Sequence, residues 1–294
     1  MGGLLNATFG NAVELIVSIV ALKNGEIRIV QSSMLGSILS NILLVLGCCF
    51  LAGGIHNTRT GTAQGIEQGF NMTVASTMSS LMAVASASLI IPATTHARLF
   101  DGESADDEED PEEPQMSPWA AGVILVVVTI AVAICAEYLV DSIESVVETM
   151  HISKTFIGLI LLPIVGNAAE HVTAIVVALK DKMDLAIGVA IGSSMQIALL
   201  VTPFLVILGW IMDIPMTLHF ETFETVVFFL SMLVVTYTIQ DGKSNYLEGA
   251  MLLGLYFIIA LAFLVYPDDA TDTPGNVVLV TRAVVGSAKS ALGM

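Results

Sequence analysis

The chain has 294 residues, of which 55% are hydrophobic and 13% charged, and its mean hydropathy is +0.85. A soluble domain carries roughly 25% charged residues, so a single water-soluble core is excluded and a polytopic membrane protein is indicated. The formal net charge of −17, with 10 Lys and Arg against 27 Asp and Glu, leaves no basic face for nucleic acid and suits a protein that collects cations.

Eight apolar stretches follow one another, each near the roughly 20 residues that cross a bilayer. All are predicted as helices, because lipid offers no water to unpaired backbone groups. The first, residues 3–22, contains Gly10-Asn11-Ala12-Val13-Glu14 and places a carboxylate at mid-membrane depth. The second, 29–54, opens with Ser32, Ser33, Ser37, Ser40 and Asn41, and its Cys48 and Cys49 read, like Cys135 later, as small packing residues. The third covers 70–97. Nine acids and no base then fill 101–113, among them Asp106, Asp107, Glu108, Glu109 and Asp110. This run reads as a solvated linker, or else as a short acidic helix that loads or senses a cation.

The fourth span, 118–139, continues into Glu137, Asp141, Glu144 and Glu148, which share one helical stripe. Glu137 and Asp141 are the candidates there for a vestibule that attracts cations. The fifth, 156–179, carries Gly166-Asn167-Ala168-Ala169-Glu170-His171, and the sixth, 185–212, opens with Ser193, Ser194 and Gln196. Spans 222–239 and 247–266 complete the set, and a polar tail follows.

The two glutamate phrases lie 156 positions apart, the same offset pairs Gly36-Ser37 with Gly192-Ser193 and Ser40 with Gln196, and Ala21-Leu22-Lys23 recurs as Ala178-Leu179-Lys180. A mid-membrane charge costs roughly 2.5–3.5 kcal/mol on insertion scales. Two such costs in matching contexts mark a secondary transporter built from repeats around a midplane site. The organisation expected is a first half (1–100, three helices), an acidic linker (101–117), a second half (118–267, five helices) and a tail (268–294).

Glu14 and Glu170 are hard oxygen donors, and Asn11 and Asn167 stand one turn before them on the same face. Ser37, Ser40, Ser193, Ser194 and Gln196 complete an oxygen-rich lining of the kind calcium takes with six to eight ligands. Pro163 cannot donate to the Leu159 carbonyl, which leaves that oxygen for an ion. The absence of a Cys or His cluster argues against a soft metal. Metal and proton compete for the same carboxylates, so Glu14 and Glu170 are also the proton carriers. His171 is either a proton relay or a packing histidine. Calcium and protons are then cargo, with manganese as an alternative cargo. No cofactor and no covalent chemistry are expected, and the lipid bilayer is the expected partner, with the oligomeric state left open by the sequence.

Residues 3–14 and 163–171 resemble the two signature repeats of the cation/proton exchangers, the calcium/proton antiporters of vacuoles and bacteria within the calcium/cation antiporter superfamily. The resemblance extends through Lys180-Asp181-Lys182-Met183-Asp184 to Pro267 and is nearest to the fungal vacuolar type. It implies an all-α membrane protein of two inverted five-helix halves joined by an acidic segment. Glu14 and Glu170 become the central calcium and proton ligands, and the expected activity is calcium-for-proton exchange at a vacuolar membrane. Sodium- or potassium-coupled calcium exchange, a cation channel and an inactive fragment are the competing readings.

One count departs from the family pattern. Inverted repeats need an even number of spans between the Glu14 and Glu170 helices, and the sequence supplies three. The expectation is a chain lacking two first-half helices, one before the first signature and one after span 70–97, that inserts or transports poorly alone.

Overall fold

The computed structural model describes residues 11–60, 67–71, 73, 75, 77, 80–82, 84 and 118–266. The start of the first span, most of span 70–97, the acids Asp106, Asp107, Glu108, Glu109 and Asp110, and the tail lie outside the described residues.

Helix α1 is Ala12–Lys23. Helix α2 is one rod of Ile27–Leu39, a π-helical turn Ser40–Val45, and Leu46–Thr60. Helix α3, Pro118–Met150, absorbs the acidic stripe into one continuous helix. Helix α4 runs from Lys154–Phe156 through the π-helical turn Ile157–Leu161 to Leu162–Gly166, and α5 is Ala168–Leu179. Helix α6 repeats the design of α2, with Met183–Gln196, a π-helical turn Ile197–Val201, and Thr202–Ile211. Helices α7 (Thr222–Thr238) and α8 (Tyr246–Val265) end the bundle. Both start on capping boxes, Glu221 with Glu224 and Asn245 with Glu248, which satisfy backbone N–H groups that have no partner within the helix.

Polar contacts define the two ends of the bundle. At one end Arg28 grips Glu224 (2.7 Å) and Glu221 (2.8 Å), Lys154 meets Glu26 (2.8 Å), and Asn24 donates to Asp141 (3.2 Å). At the other end Asp181 accepts from Asn57 (3.4 Å) and Gln68 (2.8 Å), and the Asn71 backbone N–H donates to Asp184 (2.6 Å). Helix α2 therefore runs from the Arg28 end to the Asp181 end, alongside α4 and α5 and in their direction. Helix α1 precedes it through the short turn at Gly25 and runs the opposite way. The two signature helices α1 and α5 are thus antiparallel, as are α2 and α6, which is the inverted-repeat arrangement of an all-α membrane protein.

Close packing sets the rotation of these helices. At Gly36 a Cβ would collide with the Leu159 backbone, and at Gly158 it would strike the Ser32 hydroxyl, so α2 and α4 cross nearly backbone to backbone. The Leu159 carbonyl that Pro163 was expected to leave for an ion lies against Gly36 instead, and packing occupies it. The core follows this crossing, with Ile29, Leu35, Ile38, Leu43, Phe50 and Ile187 all nearly or fully inaccessible. Val123, Val126, Val127 and Ile130 on α3 are more than half exposed, an apolar surface suited to lipid.

Two features were not expected from the sequence. Strands β1 (Glu67–Gly69) and β2 (Lys243–Asn245) pair antiparallel at the Asp181 end, with Gln68 opposite Ser244. The fifth span is broken, its two parts meeting at 56° around Asn167. The antiparallel relation of α1 and α5 also bears on the span count. Asn71 and Pro118 lie at the same end of the bundle.

Candidate cation-binding site

Asn11 and Asn167 stand immediately before α1 and α5, at the N-cap position, yet neither side chain caps its helix. An N-cap asparagine ordinarily accepts from the first turn; here both amides are left for the site. Glu14 and Glu170 fall in the first turns, where the positive end of the helix dipole favours a carboxylate. Two half-helices with their N-termini at the centre supply this field from opposite directions.

Ser193 is the hub of the centre. Its hydroxyl lies 2.8 Å from Asn11 Oδ1 and 3.0 Å from Glu170 Oε2, and accepts from Asn41 Nδ2 at 3.1 Å. Asn11 Nδ2 in turn donates to Gln196 Oε1 at 2.8 Å. A hydroxyl has one hydrogen, so Ser193 donates to Asn11 or to Glu170 and not to both. If Glu170 is protonated it can donate to Ser193, which then serves Asn11. The proton on Glu170 and the orientation of the network are therefore linked.

Glu14 approaches the second repeat from the other side, near Gly166, where an added Cβ would lie 3.8 Å from Glu14 Oε1. Both of its carboxylate oxygens are buried without a hydrogen-bond partner, as are both amide atoms of Asn167. Native structures rarely leave such groups unsatisfied, and a cation between the repeats is the ligand that carboxylate and amide oxygens would share. Among the described residues no three His, Cys, Asp or Glu side chains gather, so neutral oxygens and water must complete any coordination.

Each glutamate lines a cavity. The first, about 420 Å³, runs from Glu14 toward the Arg28 end between α1, α2, α3 and α4, and includes Val13, Val17, Ser33 and Ser37. The second, about 480 Å³, runs from Glu170 toward the Asp181 end between α5 and α6, and includes Ala169, Thr173, Val189 and Ser193. At the offset of 156 positions these five pairs correspond, so each cavity is built around the same part of its repeat, while the first adds Ser18 and residues of α3 and α4 and the second adds Leu185, Gly188, Gly192 and Gln196.

The structure brings Asn11, Glu170, Ser193 and Gln196 into one network. It places Glu14 and Ser37 on the first cavity, and Ser40 Oγ at 3.2 Å from His171 Nε2. Three other candidates stand elsewhere. Ser194 is fully buried and donates to its own helix at Ala190 (2.9 Å), since the next position on a helix points away from its neighbour. Glu137 and Asp141 line neither cavity. Both are exposed on α3, and Asp141 accepts from Asn24 at the helix end. Sequence reasoning missed Asn41 and Ser18 as site residues and read Cys135, which lines the first cavity, as packing. Asn41 pairs by offset with the apolar Ile197, so the repeat concealed it.

Comparison with known proteins agrees with this geometry. The sodium/calcium exchanger protein family model matches twice, over residues 1–127 and 120–265. A vacuolar calcium ion transporter of Schizosaccharomyces pombe is 48% identical over 305 residues, covering 91% of this chain and 72% of that protein. A Ca(2+)/H(+) antiporter of Aphanothece halophytica is 41% identical over 91% of this chain and 82% of its own length. The solved structure of native YfkE is 36% identical and superposes with a TM-score of 0.75 over 90% of this chain and 84% of that one. With inverted signature helices, paired cavities and matches across both halves, the chain belongs to the sodium/calcium exchanger protein family.

Proposed function

We propose that this protein exchanges calcium for protons across a vacuolar membrane by alternating access. The observation that carries the reading is the pair of cavities that extend toward opposite ends of the bundle and each reach a signature glutamate. The Asn11–Ser193–Gln196 network stands at the second cavity's wall, with Ser193 and Gln196 among its lining residues. A cation held by Glu14, Glu170 and the amide oxygens displaces protons from the same carboxyls. Loss of the cation returns the protons, so the two cargoes alternate on one set of oxygens without a covalent step. The names of the related vacuolar transporter and Ca(2+)/H(+) antiporter support calcium and protons as the pair.

The path from Asn71 to Pro118 starts and ends at one end of the bundle, while the sequence offers one apolar span there. Calcium binding with proton release is accordingly assigned to the chain as it stands, and efficient vectorial transport to a chain with a second crossing there. The test is pH-gradient-driven ⁴⁵Ca uptake into proteoliposomes by both forms, with Glu14→Gln and Glu170→Gln as controls. Uptake that ignores the pH gradient and follows a sodium gradient would replace this reading with sodium-coupled exchange.

A further inference from the structure

Ser18 lies one helical turn beyond Glu14 on α1, is 1% exposed, lines the first cavity, and has no hydrogen-bond partner for its hydroxyl. That is unusual for a buried helical hydroxyl, which always has the carbonyl four residues earlier within reach. Ser194, Ser231 and Thr238 all take that option, at 2.9, 2.7 and 2.9 Å. Ser18 does not. The carboxylate of Glu14, on the same face, is equally without a partner. Side chains four apart on a helix have Cβ atoms about 5–6 Å apart, a separation that admits a ligand between the two groups. The second cavity has no such unpartnered pair: the position equivalent to Ser18 is Ala174, and the hydroxyl one turn beyond Glu170, that of Thr173, donates to the Ala169 carbonyl at 2.9 Å.

We propose that Glu14 and Ser18 form an entry subsite for a hydrated divalent cation at the inner end of the first cavity, with Ser37 on the facing α2 wall, and that the second cavity lacks one. The proposal rests on the exchanger reading and adds to it an asymmetry between the two access routes. Calcium accepts water among its six to eight oxygens, and a cavity of about 420 Å³ holds the ion with several waters. The apolar wall at Val128 and Val132 offers no competing ligand, so the ion keeps its waters on that side. A cation arriving from the Arg28 end meets two protein oxygens before the central network. One arriving from the Asp181 end meets Glu170 beside Ser193 and Gln196, groups that already belong to the central network.

Cys135, on the α3 wall of the same cavity, is a native reporter. In protein carrying Cys48→Ala and Cys49→Ala, calcium should slow the reaction of Cys135 with a small neutral thiol reagent. Ser18→Ala should raise the protecting calcium concentration about tenfold, the loss of roughly one ligand hydrogen-bond equivalent, whereas Ser18→Thr, which keeps the hydroxyl, should leave it near its original value. Equal protection in the Ser18→Ala and Ser18 proteins overturns the subsite. So does absence of protection in the Ser18 protein when that protein binds ⁴⁵Ca at equilibrium. Absence of ⁴⁵Ca binding itself would instead remove the exchanger reading.

Discussion

Ser193 and Ser194 are adjacent, buried and chemically identical, yet their removal should have very different consequences. Ser193→Ala deletes the only hydroxyl that Asn11 Oδ1, Glu170 Oε2 and Asn41 Nδ2 share. Glu170 is half-buried beside a cavity and can recover a water, so its share is discounted. Asn11 and Asn41 are 2% and 1% exposed and cannot. Two buried polar atoms left without partners at about 1–3 kcal/mol each give roughly 2–6 kcal/mol of destabilisation. The loss of one oxygen and of the network that aims Glu170 should also weaken calcium binding by about tenfold. Ser194→Ala removes only a bond to Ala190, whose carbonyl keeps its helical partner, so the change should stay within about 0.5 kcal/mol and leave calcium binding alone. Thermal inactivation in detergent and equilibrium ⁴⁵Ca binding, measured side by side, read both effects. A Ser194→Ala protein as impaired as Ser193→Ala would refute the assignment of the hub.

Three further outcomes follow from the same geometry. Arg28→Ala should destabilise the protein by about 3–5 kcal/mol, because it strands the fully buried Glu224 carboxylate; Arg28→Lys should rescue it only in part, since an ammonium cannot match the two-pronged contact of 3.1 and 2.7 Å, and thermal inactivation rates decide this. Gly36→Ala should cost about 1–3 kcal/mol by forcing α2 from the Leu159 backbone, whereas its repeat partner Gly192→Ala, with open space around the new methyl, should be tolerated in the same assay. The half-saturating calcium concentration should rise as pH falls, because protons hold the ligand oxygens. Where each ion releases two protons the rise approaches a factor of about 100 per pH unit, and a pH-independent ⁴⁵Ca titration would contradict it.

Much of this was legible in the sequence for a simple reason: the cost of a buried carboxylate made Glu14 and Glu170 conspicuous, and duplication paired them. The spans, the asparagines before each glutamate, and Ser193 with Gln196 followed from the same offset. What escaped depends on how helices rotate against one another. Successive residues point about 100° apart, so composition could not choose between Ser193 and Ser194; the contacts of Ser193 with Asn11, Asn41 and Glu170 from three other helices show which face of α6 turns to the centre. The matched π-helical turns at Ser40–Val45 and Ile197–Val201 leave no mark in residue type, yet they widen the helices beside Ser40 and Gln196. Glu137 and Asp141 shared a helical stripe as predicted, but that stripe faces away from the cavity that Cys135 and Leu139 line. The β1–β2 pair joins segments 176 positions apart, beyond the reach of any local pattern.

The most direct test of the account is proton release from the purified chain on addition of calcium, in weakly buffered detergent at constant sodium. The prediction is release of about two protons per ion bound, with Glu14→Gln and Glu170→Gln each folding normally and each losing the response. Calcium binding without proton release, or release that persists in both glutamine variants, would contradict the assignment of cation and proton to the same pair of carboxylates.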